Sequence, residues 1–221
     1  PGIARSMAGL DIGVTICEDA WQHWGATPND YDSDPIAQIV EWGRQGVILD
    51  ATVNLSASPY HANKSNARIA VARSAALSLN HPFLLANQVG GNDDLLFDGR
   101  SIIAWPDGTV VVGPAWSEGV LLTDLSSSEL CTWIGDGDLS ILSPGEELEE
   151  NDEDLLDAII IGLSDYCKKS GIGKIVLGLS GGIDSALAAC IASAAVGSKS
   201  VTGISMPSKH SSQHSIDDAN A

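Results

Sequence analysis

Apolar positions in this chain fall into short runs between polar turns, and their spacing alternates between that of strands and that of helices. Asp11–Ile16 reads as a strand ending at Cys17. Pro35–Trp42 reads as a short helix, with Gly43 and Gly46 near its end. Val47–Val53 predicts a second strand, followed by a polar loop, Asn54–Tyr60, broken by Pro59. Asn66–Leu79 predicts a helix with Ile69, Ala72, Ala76 and Leu79 on one face and Arg68 and Arg73 on others. Phe83–Ala86 predicts a third strand. After the Gly90-Gly91 turn, Ser101–Trp105 and Val110–Val112 read as strands joined by a Pro106-Asp107-Gly108 hairpin turn.

The pattern changes after Leu125. Ser126–Ser128 is polar, Gly135–Asp138 reads as a loop, and Glu146–Asp154 holds seven acids in nine residues. Such a run suits a solvated linker or a helix entry, where the helix dipole favours acids. Leu155, Leu156, Ile159, Ile160, Leu163, Tyr166 and Cys167 then form an apolar stripe at helical spacing, and Gly171 and Gly173 end it. Strand Ile175–Leu179, an alanine-rich helix and strand Ser200–Ser205 follow. This order is a βαβ unit and predicts a parallel, doubly wound sheet. The sequence stops at Ala221, and two parallel strands are too few for a stable α/β domain. The expectation is a fragment of a longer chain.

Composition narrows the classes. The 221 residues are 44% hydrophobic, enough for one large domain or two modest ones. No stretch is long and apolar enough for a membrane span, and Pro1–Leu10 lacks the pattern of a secretory signal. With 29 acids against 11 bases, the net charge of −18 is the wrong sign for phosphate-driven nucleic-acid binding. The four cysteines, Cys17, Cys131, Cys167 and Cys190, are widely spaced and fit a reducing cytoplasm better than a disulfide framework. His210 and His214 sit in a serine-rich stretch without a glutamate partner and read as solvated loop residues.

The sharpest chemical signal is Ser180-Gly181-Gly182-Ile183-Asp184-Ser185, between the strand and the alanine-rich helix. Unpaired N–H groups at a helix start favour an anion, glycines let a phosphate approach the backbone, and Ser180 and Ser185 add hydroxyl donors. Asp184 is itself anionic, and fits if a Mg²⁺ bridges it to phosphate oxygens. The segment lacks the G-x-x-x-x-G-K-[ST] pattern. It resembles the S-G-G-x-D-S signature of the N-type ATP pyrophosphatases (PP-loop enzymes), which cleave ATP between its α and β phosphates.

A second signal is Cys17, at the end of a strand, where a sharp turn exposes a nucleophile. Most unpaired cysteines are simply buried small hydrophobes. Its setting, Ile16-Cys17-Glu18-Asp19-Ala20-Trp21, resembles the nucleophile segment of the nitrilase (carbon–nitrogen hydrolase) family. Asn54–Tyr60 with Lys64 and Arg68, and Ala86–Gly99, are similar to its glutaminase branch. A nitrilase-type glutaminase ahead of an S-G-G-x-D-S domain resembles one family, the glutamine-dependent NAD⁺ synthetases. Met206–Ala219 is similar to the loop after the second strand there, and the acidic region matches least.

That resemblance implies the C-terminal part of a nitrilase-like αββα sandwich in residues 1–125 and an acidic linker in 126–150. It implies the start of a doubly wound, PP-loop, adenine-nucleotide-α-hydrolase-like domain in 151–221. It implies glutamine, ATP and deamido-NAD⁺ as small-molecule substrates, Mg²⁺ as metal, no nucleic-acid or membrane partner, a homo-oligomeric parent and a cytoplasmic location. Cys17 would be the glutaminase nucleophile. Glu18, Ser56 and Ser58 would contact glutamine. Ser180, Gly181, Gly182, Ile183, Asp184 and Ser185 would hold the ATP phosphates, with Asp184 on Mg²⁺, and Ser205 and Met206 would lie near the adenine. The family's general-base Glu and oxyanion Lys lie upstream of the Cys, and residues 1–16 contain neither. Glu18 and Lys64 occupy other positions of the pattern. Another glutamine-fed PP-loop amidotransferase, a plain nitrilase-type amidase, and a silent ligand-binding fragment stand as alternatives.

Overall fold

The computed structural model describes residues 1–6, 9–22, 32–149, 151–207 and 212–220. Its contacts divide it into two compact units, residues 1–89 with 97–150, and residues 90–96 with 151–221.

In chain order the elements up to residue 142 are β1 (Gly2–Arg5), β2 (Asp11–Ile16), α1 (Pro35–Arg44), β3 (Ala51–Ser56), α2 (Lys64–Leu79), β4 (Phe83–Asn87), β5 (Val89–Asn92), β6 (Leu95–Asp98), β7 (Ile102–Ala104), β8 (Val110–Val112), β9 (Gly119–Asp124), β10 (Ser127–Gly135) and β11 (Ser140–Leu142). Seven of them form one sheet in the order β1-β2-β3-β4-β7-β8-β11. The central β2, β3 and β4 are parallel, and β1, β7, β8 and β11 join antiparallel. Two crossovers of this kind need helices, and α1 and α2 supply them. Asp34 starts α1 by accepting from the N–H groups of Ile36 and Ala37, with Pro35 at the first helical position.

One face of the sheet buries the main core. Ile69, Val71, Ala72, Ala75 and Ala76 of α2 pack on Phe83, Leu85, Ile102, Val110 and Val112. On the other face Ile103, Trp105 and Val111 pack with Leu84 and with Leu121 and Cys131 of the β9–β10 hairpin. Alternation along β7 and β8 sends neighbouring residues to opposite cores, which is why all three positions of each are buried.

Several expectations change. The second strand begins at Ala51, four residues later than its apolar run, and continues through Asn54 to Ser56. Register decides this: Ala51 pairs with Ile12 and Ser56 with Asn87, so the polar residues are held by strands on both sides. Val47 and Ile48 lie outside the strand and are exposed. Ser127 and Ser128 enter β10, which pairs with β9 across an irregularity, and β11 adds to the main sheet. The stretch after β11 is sewn to α2: Arg73 donates to the carbonyls of Ser143, Glu146 and Gly108, and Asn66 exchanges two hydrogen bonds with Leu148.

Arg68, assigned to a non-core face, is buried completely. Its guanidinium forks onto the carboxylate of Asp98, itself fully buried, and reaches Ser65 Oγ, which also accepts from Arg100 at 2.8 Å. A bidentate Arg–carboxylate pair is the geometry that tolerates burial best.

In the second unit, α3 (Asp152–Ser170), β12 (Ile175–Leu179), α4 (Ile183–Val196), β13 (Val201–Ser205) and α5 (Gln213–Asn220) follow in order, and β12 pairs parallel with β13. Asn151 caps α3 reciprocally with Asp154, Asp152–Asp154 fill its first turn, and Gly171 ends it at φ 69°. Three of the seven acids of the run therefore serve as a helix entry. Within this unit Gly91 N–H donates to Asp165 at 2.8 Å and Lys169 donates to the Gly91 carbonyl. The α3 stripe is only partly covered, with Cys167 buried but Leu155, Ile159 and Tyr166 about half exposed. His214 lies in α5 and pairs with Asp218 at 2.6 Å, while His210 lies outside the described residues.

Two measurements test this account. Asp98→Ala is expected to cost about 3–5 kcal/mol in denaturant unfolding by leaving Arg68 buried and unpaired, and pairing Arg68→Met with Asp98→Leu to cost less. His81 is half-buried and bonded to Thr52 Oγ1 at 2.8 Å, and burial, only partly opposed by Asp50, lowers its pKa from 6.5. A lowered folded pKa means the unfolded chain takes up the proton first. Stability is thus expected to be full above pH 6.5 and to fall as pH drops below it, with a shallower fall in His81→Gln, read from unfolding midpoints.

Candidate active site

The parallel strands β2, β3 and β4 end level with one another, and their carboxyl ends carry the candidate residues. This edge is where open α/β sheets bind ligands. Cys17 follows β2 directly, at φ 44°, in the left-handed region that a side chain adopts at a cost. A single 3-10 turn, Cys17–Ala20, holds it there, and Asp19 stabilises the turn by accepting from Ile16 N–H at 2.9 Å. Asn54, buried at the middle of β3, donates to the Cys17 carbonyl at 3.3 Å and to Thr15 Oγ1 at 3.0 Å. The strained turn is thus fixed on both sides.

Ser56, at the end of β3, brings its hydroxyl to 3.8 Å from the Cys17 sulfur. Glu18 is exposed beside the nucleophile. Ser58 is buried, and its N–H donates to Asn87 Oδ1, at the end of β4, at 2.9 Å. Of the three predicted glutamine contacts, then, Ser56 meets the thiol, Glu18 flanks it, and Ser58 is buried with its N–H on Asn87. An open cleft of about 620 Å³ lies over the thiol, lined by Ile16, Cys17, Glu18, Asp19, Ser33 and Pro35.

Lys64, the first residue of α2, reaches the same region. Its ammonium donates to the Pro59 carbonyl at 2.9 Å and stands 5.7 Å from the ring centre of Trp21. Burial lowers its pKa, Arg68 lowers it further, and Cys17 and Asp98 act the other way. Asn54, Asn87 and Trp21 carry no role in the sequence reading. The signal for Asn54 is a polar residue alternating with Thr52 on the buried face of β3, which requires a hydrogen-bonding partner.

In the second unit, Ser180–Ser185 joins β12 to α4. Gly181 has φ 80°, and a Cβ there would collide with the Ser215 carbonyl oxygen of α5, so glycine is required twice over. Ser185 Oγ accepts from Ser180 N–H at 3.2 Å, donates to the Gly182 carbonyl at 2.9 Å, and lies 3.1 Å from Ser180 Oγ. These bonds close the loop into a cup at the start of α4, with Gly182 at the cap position. Ile183 and Asp184 occupy the first turn of α4 and face solvent. Register sets Ser205 beside Leu179, the residue before the loop, and the Met206 methyl lies near Gly178. The structure therefore gathers all eight predicted nucleotide residues at one end of the β12–β13 pair. A cleft of about 420 Å³ opens beside them between α4 and α5. Asp184 is exposed beside this cup and Asp218 lines the cleft, and carboxylate oxygens are the donors that a Mg²⁺ takes. Among the described residues no group of three His, Cys, Asp or Glu side chains is placed to hold a metal, and no helix is long and apolar enough to cross a membrane.

Comparison with known proteins finds two family models along the chain. The carbon-nitrogen hydrolase family model matches residues 4–134, and the NAD synthase model matches residues 155–221. A glutamine-dependent NAD(+) synthetase of Synechocystis is 43% identical over 216 residues, covering 95% of this chain and 36% of that protein. One of Rhodobacter capsulatus is 37% identical over 209 residues, with 94% and 34% covered. The structure of the glutamine-dependent NAD+ synthetase from Acinetobacter baumannii in complex with ADP superposes with a TM-score of 0.77 at 28% identity, covering 99% of this chain and 37% of that one. The chain thus spans about a third of the length of the relatives it matches. A nitrilase-like sheet followed by the start of an NAD-synthase-like domain is the order expected from the sequence. With its model covering more than half of the chain, the carbon–nitrogen hydrolase family is the one to which this protein belongs.

Proposed function

We propose that the protein containing this chain is a glutamine-dependent NAD⁺ synthetase. The observation that carries this reading is the pairing of two sites on one polypeptide: a strained Cys17 at the end of β2, and a serine-closed phosphate cup at Ser180–Ser185. The first suits release of ammonia from an amide, and the second suits ATP.

In the glutaminase half, the Cys17 thiolate attacks the side-chain carbonyl of glutamine, and the tetrahedral adduct collapses to a thioester as ammonia leaves with a proton from a general acid. Water then attacks the thioester, giving glutamate and the free thiol. Ser56 Oγ, 3.8 Å from the sulfur, supports a role in orienting the sulfur or the adduct, and Glu18, in the cleft lining, one in meeting the substrate. The family resemblance puts the general-base Glu and the oxyanion Lys upstream of Cys17.

In the synthetase half, the nicotinate carboxylate of deamido-NAD⁺ attacks the α-phosphorus of ATP and pyrophosphate leaves. Ammonia then attacks the acyl adenylate, AMP leaves, and the amide of NAD⁺ remains. The N–H groups at the start of α4 and the hydroxyls of Ser180 and Ser185 bind the leaving phosphates, with Gly181 and Gly182 allowing close approach. Asp184 is the residue to hold Mg²⁺, which supplies charge neutralisation on those phosphates. Ser205 and Met206, beside the loop, border the adenine.

Assays of the full-length protein test both halves. Cys17→Ala is expected to reduce glutamine-driven NAD⁺ formation roughly a thousandfold or more while ammonia-driven formation persists. Loss of both would make Cys17 structural. Asp184→Ala is expected to remove both activities, and full activity in that variant would remove the Mg²⁺ assignment.

A further inference from the structure

We propose that Asn54 is a positioning residue for glutamine hydrolysis: its buried side-chain amide holds the carbonyl of Cys17 and keeps the nucleophile in its left-handed turn, with the sulfur at the strand ends. This rests on the reading of Cys17 as the glutaminase nucleophile.

The amide is oriented by its neighbours. The Cys17 carbonyl can only accept, so the Nδ2 end of Asn54 faces it, at 3.3 Å. The other Nδ2 hydrogen goes to Thr15 Oγ1 at 3.0 Å, and the Thr15 hydroxyl passes its own hydrogen to the Val53 carbonyl at 3.3 Å. Strand register sets Asn54 beside Thr15, so both acceptors are fixed in place. Ser56, two residues along the same face of β3, meets the Cys17 sulfur at 3.8 Å. Strand β3 therefore touches Cys17 twice, at the backbone through Asn54 and at the thiol through Ser56.

Stability does not explain an amide at this position. Asn54 is fully buried, in a row across the sheet with Thr15 of β2 and Leu85 of β4, and Leu85 fills its place in that row with an apolar side chain. Among the described residues Asn54 Oδ1 has no hydrogen-bond partner. A buried acceptor left unpaired is destabilising. An apolar residue of similar size would keep the packing and the register, but not the donor to the Cys17 carbonyl. That carbonyl belongs to a residue at φ 44°, and a strained backbone persists only where its surroundings hold it. An amide that leaves one oxygen unpaired and turns a donor to the strained residue serves the site rather than the fold.

Activity and stability are thus expected to move apart. In the full-length protein, Asn54→Leu, Asn54→Ser and Thr15→Val are compared with the parent by three readouts. These are the rate of Cys17 alkylation by iodoacetamide, followed on the Cys17 peptide by mass spectrometry because Cys190 is also exposed, the kcat and KM for glutamine, and the thermal unfolding midpoint. Asn54→Leu is expected to slow alkylation and lower kcat by about ten- to a hundredfold, with KM changed less than about threefold and the midpoint unchanged or higher. Asn54→Ser, too short to reach the carbonyl, gives the same loss of kcat should leucine overfill the site. Thr15→Val removes two hydrogen bonds but leaves the donor to Cys17, and is expected to lower the midpoint while kcat stays within about threefold of the parent. Parental kcat and alkylation in the Asn54 variants, or losses no larger than those of Thr15→Val, would overturn the proposal. Cys17→Ala run alongside separates the two readings. If it abolishes glutamine-driven activity while the Asn54 variants change nothing, only the positioning role fails. If it retains that activity, the nucleophile assignment fails and the positioning role with it.

Discussion

The parallel register of β2, β3 and β4 is the constraint on which the hydrolase-like unit depends. Ile16 pairs with Leu55, and Ser56 pairs with Asn87, so the three strands end in step. The first residue beyond β2, the last of β3 and the last of β4 then stand side by side. A slip of one residue would turn Ser56 to the opposite face and carry Asn54 away from the Cys17 carbonyl. The apolar side chains enforce this register from below, since Phe83, Leu85 and Ala51 are buried only when their strands are in step.

Helix α2 carries that constraint outward. Along its length it presents a cation at the nucleophile loops, a buried guanidinium at Asp98, an amide at Leu148 and a second guanidinium at three carbonyls. Between these polar anchors run small and branched residues that let the helix lie close to the sheet. A purely apolar helix would bury as much surface but would hold none of these loops in place.

Much of this was legible from residue spacing, and the departures have physical causes. The β2, α1 and α2 segments follow their periodicity because each buries one side and its turn residues agree, and the β12–α4–β13 unit follows it although little of it beyond Ala192 is buried. The start of β3 does not, because pairing with two neighbouring strands outweighs the polarity of Asn54 and Ser56 and leaves Val47 and Ile48 outside. Arg68 escapes a hydropathy reading because its burial depends on a carboxylate thirty residues away. The shape of the Ser180–Ser185 loop was readable from its residues, since its glycines and serines act through local backbone geometry. The supports behind the Cys17 turn were not, since Asn54, Asn87 and Trp21 act through contacts made only after folding.

The backbone at Cys17 has a consequence for how this protein changes over time. At φ 44° every residue but glycine pays a conformational penalty, of the order of 1 kcal/mol. The fold by itself favours glycine or asparagine there, and a cysteine persists only while its sulfur is useful. A change from Cys17 to glycine would therefore relieve strain at this turn, whereas most substitutions in the neighbouring sheet add to it.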